Sequence, residues 1–316
     1  MQKDTLNQSS TGHVVSGTKN LPDIASLQTD LLATPLDWVG MSGIEVPILV
    51  QDQNGQAMRI PGKASAFVSL DQPEARGIHM SRLFKVTQEL LAQRILSWNL
   101  LSELLDFYLK SHHGLSHAAK VAVDFESMIL RKALKSENHG WRNYPVSLWA
   151  EKKNGRQTFG ADVVVTYSST CPASAALARQ LIQDNFKSQF RGDSELDFKA
   201  VHDWLGTTHG IVATPHSQRS YAKVTIEIAA PDSEFSFVHL IDLLEESLQT
   251  PVQTVVKRED EQEFALRNGQ NLMFCEDAAR RLKASLSLVP EIVHFRGEVR
   301  HVESLHPHDA VSIFSK

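Results

Sequence analysis

Two Asn-Gly dipeptides, Asn54-Gly55 and Asn154-Gly155, each separate two runs of β-forming residues. An Asn-Gly pair in that setting closes a tight hairpin, because both residues tolerate the positive φ that the turn demands. Gly43 to Val50 and Ala64 to Leu70 flank the first pair; Val146 to Ala150 and Asp162 to Tyr167 flank the second. Whatever the chain builds must therefore contain two antiparallel hairpins about a hundred residues apart.

The stretches between them change period. Leu83, Val86, Leu90, Leu91, Leu101, Leu104, Leu105 and Tyr108 recur at spacings of three, four and seven, which predicts one long amphipathic helix. Ser81 is its expected N-cap, and His112-His113-Gly114 its end. Residues 118–130 return to alternation and read as a strand. The second half repeats this order. A helix starts near Ala173, and a polar, irregular segment is inserted at 183–212. Ala222 to Ile228 alternates cleanly as a strand, Phe237 to Leu248 is an amphipathic helix, and Val252 to Lys257 is a short strand. Residues 274–288 form another helix, followed by strands at Ile292 to Val299 and Val311 to Phe314. Runs of strands and helices in this order give an α+β protein with tandem modules of antiparallel sheet. The expected division is a flexible N-terminal arm (1–37), a first module (38–142), and a second module (143–316) carrying the insert.

Composition limits the function. The formal net charge of −5 argues against a non-specific nucleic-acid binder, though not against a local basic pocket for a triphosphate. No apolar run is long enough to span a bilayer, and the polar N-terminus lacks a secretory core, so a cytoplasmic protein is expected. Two cysteines, Cys171 and Cys275, are too few for a disulfide scaffold.

Cys171 follows an apolar strand and precedes a helix start, where unpaired N–H groups favour a thiolate, the form that binds metal or attacks. Cys275, read as mid-helix, is expected to be core filler. His216 lies in a polar hexad before the strand at 222–228, and Arg219 beside Ser220 offers a guanidinium and a hydroxyl to a phosphate. In the charged run 257–263 the basic pair Lys257-Arg258 precedes acids that include Glu261, so one loop offers a phosphate grip and a metal carboxylate. Glu276 opens a helix. Glu303, His306 and His308 sit on a segment read as extended, where residues two apart point the same way and suit metal or proton transfer. Glycine-rich phosphate loops, Cys-x-x-Cys, His-Glu-x-x-His and Gly-x-Ser-x-Gly are all absent from the sequence.

Six segments in order, Gly40 to Pro47, Arg76 to Arg82, Ser169 to Pro172, His216 to Ser220, Val256 to Glu261 and Glu303 to His306, resemble the successive signatures of type IB GTP cyclohydrolases. The resemblance implies the tunnelling fold, with antiparallel sheet and helices on one face, and a homotetramer whose active sites lie between subunits. It implies GTP as substrate, hydrolysed to 7,8-dihydroneopterin triphosphate and formate at the entrance to pterin, folate or queuosine synthesis. It also implies a divalent metal (zinc, manganese or iron) held by Cys171, His216 and Glu261. In that reading Glu276 grips the guanine edge and His306 moves protons with Glu303 close by. Arg82, Arg219, Ser220, Lys257 and Arg258 hold the triphosphate. The chain departs from the family pattern in three places: Ala173 replaces the second cysteine of Cys-Pro-Cys-Ser, Glu259 replaces a proline, and 183–212 lengthens the interval between Cys171 and His216. Two other readings compete: the metal-free nitrile reductase of queuosine synthesis on the same fold, and a non-catalytic purine- or pterin-binding scaffold.

Overall fold

A computed structural model describes residues 33–52, 55–192, 195–228 and 236–316. They form one antiparallel sheet in which every strand pairs with the next in sequence. Strands β1 (Leu36–Gln51) and β2 (Ala57–Leu70) make the first hairpin, followed by helices α1 (Met80–Gln93) and α2 (Trp98–Ser111) and strands β3 (Ala119–Lys132) and β4 (His139–Lys153). Then come β5 (Arg156–Thr170), α3 (Pro172–Gln189), α4 (Phe198–Leu205), β6 (Ser217–Ile228), α5 (Phe237–Leu248), α6 (Arg258–Gln270), α7 (Cys275–Ser287), β7 (Ile292–His301) and β8 (Ala310–Ser315). None of the described helices is long and apolar enough to cross a membrane.

Register turns the period-two pattern into two faces. The row Ala64, Val123, Leu148, Ala161, Ile226 and Phe295 runs straight across six strands, and every member is buried beneath the helices. The adjacent row, Lys63, Asp124, Ser147, Asp162, Thr225 and Arg296, faces the other way. Lys63, Asp124, Ser147 and Asp162 of this row help line a groove of about 1000 Å³ on the helix-free face. Side chains alternate across a strand, so a slip of one residue would exchange these rows and expose the core. Leu100, Leu101, Leu104 and Leu105 of α2 are fully buried on the apolar face, each contributing about 1.5–3 kcal/mol.

Both expected hairpins form. Asn154 and Gly155 adopt φ of 53° and 77° between β4 and β5, the pair of left-handed positions that an Asn-Gly turn supplies. At the first hairpin Gln53 and Asn54 lie outside the described residues, while the Asp52 carboxylate accepts from Gln56 N–H at 2.8 Å. Residues 1–32 of the expected arm also lie outside them, and the sheet begins at Leu36. The boundary expected at 142/143 falls inside β4, and the sheet passes through it unbroken.

Five expectations are corrected. The long helix is two helices: Leu96 N–H donates to Leu49 O at 2.7 Å, which turns the chain, and the Ser97 hydroxyl then caps α2. Ser81 lies inside α1, whose N-cap position is His79, which makes no side-chain capping bond to the helix. The heptad spacing could not reveal this break, because two helices packed on one sheet keep the same apolar phase. The insert is not irregular: α3 continues to Gln189 and α4 follows, with Phe186, Phe190 and Trp204 packed ring to ring at 5.1–5.8 Å. Val252 to Lys257 is no strand. One bridge, Tyr167 with Pro251, pins it to the free side of β5 before the chain enters α6. The charged run is that helix, its first turn carrying Glu259, Asp260 and Glu261, where acids favour the positive end of the dipole.

Asp260 is fully buried at this corner. Burial opposes its ionisation, but the Ser136 hydroxyl and the backbone N–H groups of Lys257, Ser136 and Lys135 donate to it and hold its carboxyl well below the usual range. A depressed carboxyl contributes stability that is present above the unfolded-state value, about 3.9, and lost as pH falls towards the folded one. Asp260→Asn is therefore expected to lower the melting temperature by several degrees at pH 7 and to weaken the loss of stability below pH 4. Thermal melts from pH 7 to 3 check both, and equal melting curves at pH 7 would show that the carboxylate is dispensable.

Candidate functional site

The end of the sheet where β5 stops and β6 starts gathers the polar residues. Thr170 pairs with Ser217, and Ser169 with Gln218. Cys171 is the N-cap of α3; its Sγ accepts from Ser174 N–H at 3.5 Å, and Pro172 fixes the first turn. The Cys171 N–H donates to His216 O at 3.3 Å, and the His216 N–H to Ser174 Oγ at 3.1 Å. The inserted helices leave and return at this point, so the long interval between Cys171 and His216 does not separate them in space.

His216 is held from two sides. Its Nδ1 lies 2.9 Å from Gln218 Oε1, 3.5 Å from Ser304 Oγ and 4.0 Å from Glu303 Oε2. Glu303 and Ser304 arrive on the segment after β7, which Val302 N–H ties to Arg219 O at 3.2 Å. The segments carrying Cys171, His216 and Glu303 thus meet here, Cys171 through the backbone and Glu303 beside the His216 ring. Beneath them, Gln218 Nε2 donates to Ser169 Oγ at 3.0 Å, and Ser169 and Ser220 share a hydrogen bond of 2.7 Å.

Glu276 lies one strand further along, in the first turn of α7, exposed, accepting from the Cys275 thiol at 3.3 Å. Cys275 is not mid-helix but the first residue of α7. Burial pushes its thiol pKa up, against a hydrogen bond with Ser312 that lowers it. Below sits a buried pair: Tyr167 Oη is 2.9 Å from His301 Nε2. Burial brings His301 down to about 4 although Glu276 pulls the other way, so its imidazole is neutral at physiological pH.

The remaining expected site residues do not join this cluster within one chain. Ser220 and Arg219 alternate on β6, so Ser220 is buried with its hydroxyl on Ser169, while Arg219 is exposed on the opposite face. The two do not grip one phosphate together. Glu261 is exposed in the first turn of α6. The part of α6 that reaches β5 is Asn268, bonded to Ser168 Oγ at 2.7 Å and about 10 Å further along the axis. Lys257 and Arg258 are exposed at that same helix start. Arg82 is on α1 in the first half, with Nη1 donating to Ser111 O. His306 and His308 are exposed in a bend rather than an extended segment, their rings parallel within 10° at 5.1 Å. Among the described residues no three His, Cys, Asp or Glu side chains are grouped to hold a metal. Cys171 and His216 suit a divalent ion as a thiol at a helix start and an imidazole whose Nε2 is uncommitted, whereas Glu261 is not beside them.

Gln218, Ser169, Ser304, Tyr167 and His301 were not expected from the sequence. For Gln218 a signal existed: like Ser220, it sits at the even positions of β6 that carry Ala222, Val224 and Ile226 into the core. A polar residue at apolar parity must find a buried partner. The two thiols should differ in reactivity, Cys171 being partly exposed and Cys275 buried. Mass spectrometry after brief iodoacetamide treatment is expected to find Cys171 labelled in the native protein and Cys275 labelled only in denaturant.

The model of the family described as Type I GTP cyclohydrolase folE2 matches residues 21–312. Among curated relatives, the GTP cyclohydrolase FolE2 of Bdellovibrio bacteriovorus is 54% identical over 298 residues, covering 94% of this chain and 97% of that protein. The protein of the same name from Hydrogenovibrio crunogenus is 48% identical over 296 residues, covering 94% of each. Among solved structures, uricase from Arthrobacter globiformis superposes with a TM-score of 0.52 at 8% identity, over 89% of this chain and 93% of that one. That likeness concerns the fold alone, and it agrees with the tunnelling architecture of helices on one face of an antiparallel sheet. The matched family model and these relatives span nearly the whole chain, which therefore belongs to the type I GTP cyclohydrolase folE2 family.

Proposed function

We propose that the chain is a GTP cyclohydrolase I that hydrolyses GTP to 7,8-dihydroneopterin triphosphate and formate. The observation that carries this reading is family membership over residues 21–312, joined to a site where the segments carrying Cys171, His216 and Glu303 meet. Family membership favours it over the reductase reading. The product would enter pterin-derived pathways such as folate or queuosine synthesis.

The finer assignment is the metal-dependent type IB enzyme, with zinc, manganese or iron held by Cys171, His216 and Glu261. The thiol and imidazole stand together; the carboxylate is the member that one chain leaves apart. A bound divalent ion lowers the pKa of its water from about 16 towards roughly 7, which makes hydroxide available near neutral pH. The chain's own residues have separate tasks. Glu276, at the positive end of α7, accepts hydrogen bonds from N1–H and the exocyclic amine of guanine, a donor pattern adenine lacks. Glu303 places a carboxylate beside His216, and His306 transfers protons as C8 is hydrated, the imidazole ring opens and formate leaves. The ribose ring then opens, and its carbonyl carbon, after rearrangement, condenses with the freed amine with loss of water to close the dihydropterin ring.

Arg82, Arg219, Lys257 and Arg258 are the proposed triphosphate grip. They lie on different parts of one chain, which supports an assembly with sites between subunits. Both sheet edges support it too: β1 and β8 each pair with one other strand only among the described residues, and Val311 and Ile313 of β8 are exposed. Open edges of this kind pair with another chain, and a cytoplasmic homotetramer is proposed. Light scattering is expected to give four chains per particle at micromolar concentration, and a monomer would remove the inter-subunit site.

Metal-loaded protein incubated with GTP is expected to release formate and a product that fluoresces on oxidation in equal amounts, with no turnover of ATP. Cys171→Ala should lose most bound metal and nearly all turnover while keeping the fold. Arg258→Ala should raise KM for GTP by about 10–100-fold, since a charge-assisted contact contributes about 1.5–3 kcal/mol. Binding of GTP without formate under zinc, manganese and iron would leave the scaffold reading.

A further inference from the structure

We infer that Gln218 is a positioning residue that fixes the tautomer of His216, holding the proton on Nδ1 so that Nε2 presents its lone pair to a divalent cation or a transferable proton. This rests on the cyclohydrolase reading only for what Nε2 would meet; the tautomer itself is a property of the folded chain.

All three oxygen-bearing side chains held near this ring, Gln218, Ser304 and Glu303, lie on the same nitrogen, with Ser304 Oγ at 3.5 Å. Gln218 Oε1 is 2.9 Å from Nδ1, and the Glu303 carboxylate is 4.0 Å from it. A neutral imidazole carries one N–H and one lone pair, and a carboxylate beside Nδ1 favours the proton there. Nε2 makes no hydrogen bond among the described residues.

The amide is itself oriented from below. Gln218 is nine-tenths buried, and its Nε2 donates to Ser169 Oγ, whose hydroxyl is bonded to Ser220 Oγ. Ser169 and Ser220 are essentially sealed from solvent. Three polar side chains in succession at core-facing positions do nothing for packing that Val or Ala would not do better. They leave no buried polar group unsatisfied only when they bond one another and the ring above. Register places them together: Ser169 is opposite Gln218 on β5 and β6, and Ser220 follows two residues on, on the same face. A ligand histidine whose second nitrogen is held in this way is fixed in tautomer and ring orientation, and loss of such a partner costs about 10–100-fold in metal affinity.

The test uses full-length, metal-free protein labelled with ¹⁵N-histidine, in which the His216 signal is identified by its absence from His216→Asn. Wild type is expected to show Nδ1–H and unprotonated Nε2. Gln218→Leu is expected to lose that preference and to bind zinc, measured by chelator competition, ~10–100-fold more weakly. Gln218→Glu keeps an oxygen acceptor, with the Ser169 hydroxyl turned to donate to it, and should restore both the tautomer and zinc affinity to near wild type. If Gln218→Leu does not fold, Ser169→Ala serves, since it frees the amide to rotate and should populate both tautomers. An Nε2–H tautomer in the wild type overturns the inference, as does an unchanged tautomer and zinc affinity in Gln218→Leu or, in its place, Ser169→Ala. Failure of the formate assay with the Nδ1–H signal intact would instead count against the cyclohydrolase reading alone.

Discussion

The pairing of β5 with β6 is the constraint on which the rest of the site depends. It runs without a bulge from Phe159–Ile228 to Thr170–Ser217, so its position is fixed by the buried residues of its lower half. Val163, Val165, Ala222, Val224 and Ile226 are all fully buried, and a one-residue slip would turn them out to solvent. With the register held, Cys171 and His216 must emerge side by side at the upper end, whatever length of chain intervenes. The insert can therefore grow into two helices with their own aromatic cluster without displacing the residues at its base.

A second set of contacts joins the two halves. The ends of β3 and β4 present Arg131, Arg142 and Tyr144 to α5. Arg142 meets Glu245 at 2.5 Å, Arg131 meets Asp242 at 2.6 Å, and Tyr144 donates to Glu245 at 2.7 Å. Burial, aided by the Glu245 charge, pushes the Tyr144 phenol up to about 12. A pair as buried as Arg142–Glu245 adds little net stability, because desolvation offsets the attraction, but it strongly penalises any misplaced partner. The effect of these contacts is to set the angle of α5 on the sheet. Asp260 does the same for α6, drawing the β3–β4 turn onto the helix start through Lys135 and Ser136.

Much of the architecture was legible because it follows from local rules. Asn154-Gly155 announced its turn through the φ values it alone tolerates cheaply, and Phe237 to Leu248 is the predicted helix to the residue. The misreadings share one cause. The break at Ile95, the β5-pinned stub at Pro251 and the helical start at Arg258 are each decided by a partner distant in sequence: Leu49, Tyr167, and the turn at Lys135–Ser136. The candidate site was legible in its residue types, Cys171 at a strand end and His216 before a strand, and in its resemblance to a family. Its supporting residues were not, since Gln218, Ser169 and His301 act through neighbours on other strands.

The sequence by itself determined the two-faced strands, the hairpin turns and the family, because alternation, turn chemistry and ordered motifs are properties of short segments. Only the tertiary structure decided which side chains meet. It brought the segments carrying Cys171, His216 and Glu303 together, turned Ser220 inward and Arg219 outward, and left Glu261 on a separate helix. The reason is that strand register and helix placement are settled by burying one face of the whole sheet at once, a sum over many residues that no single segment records.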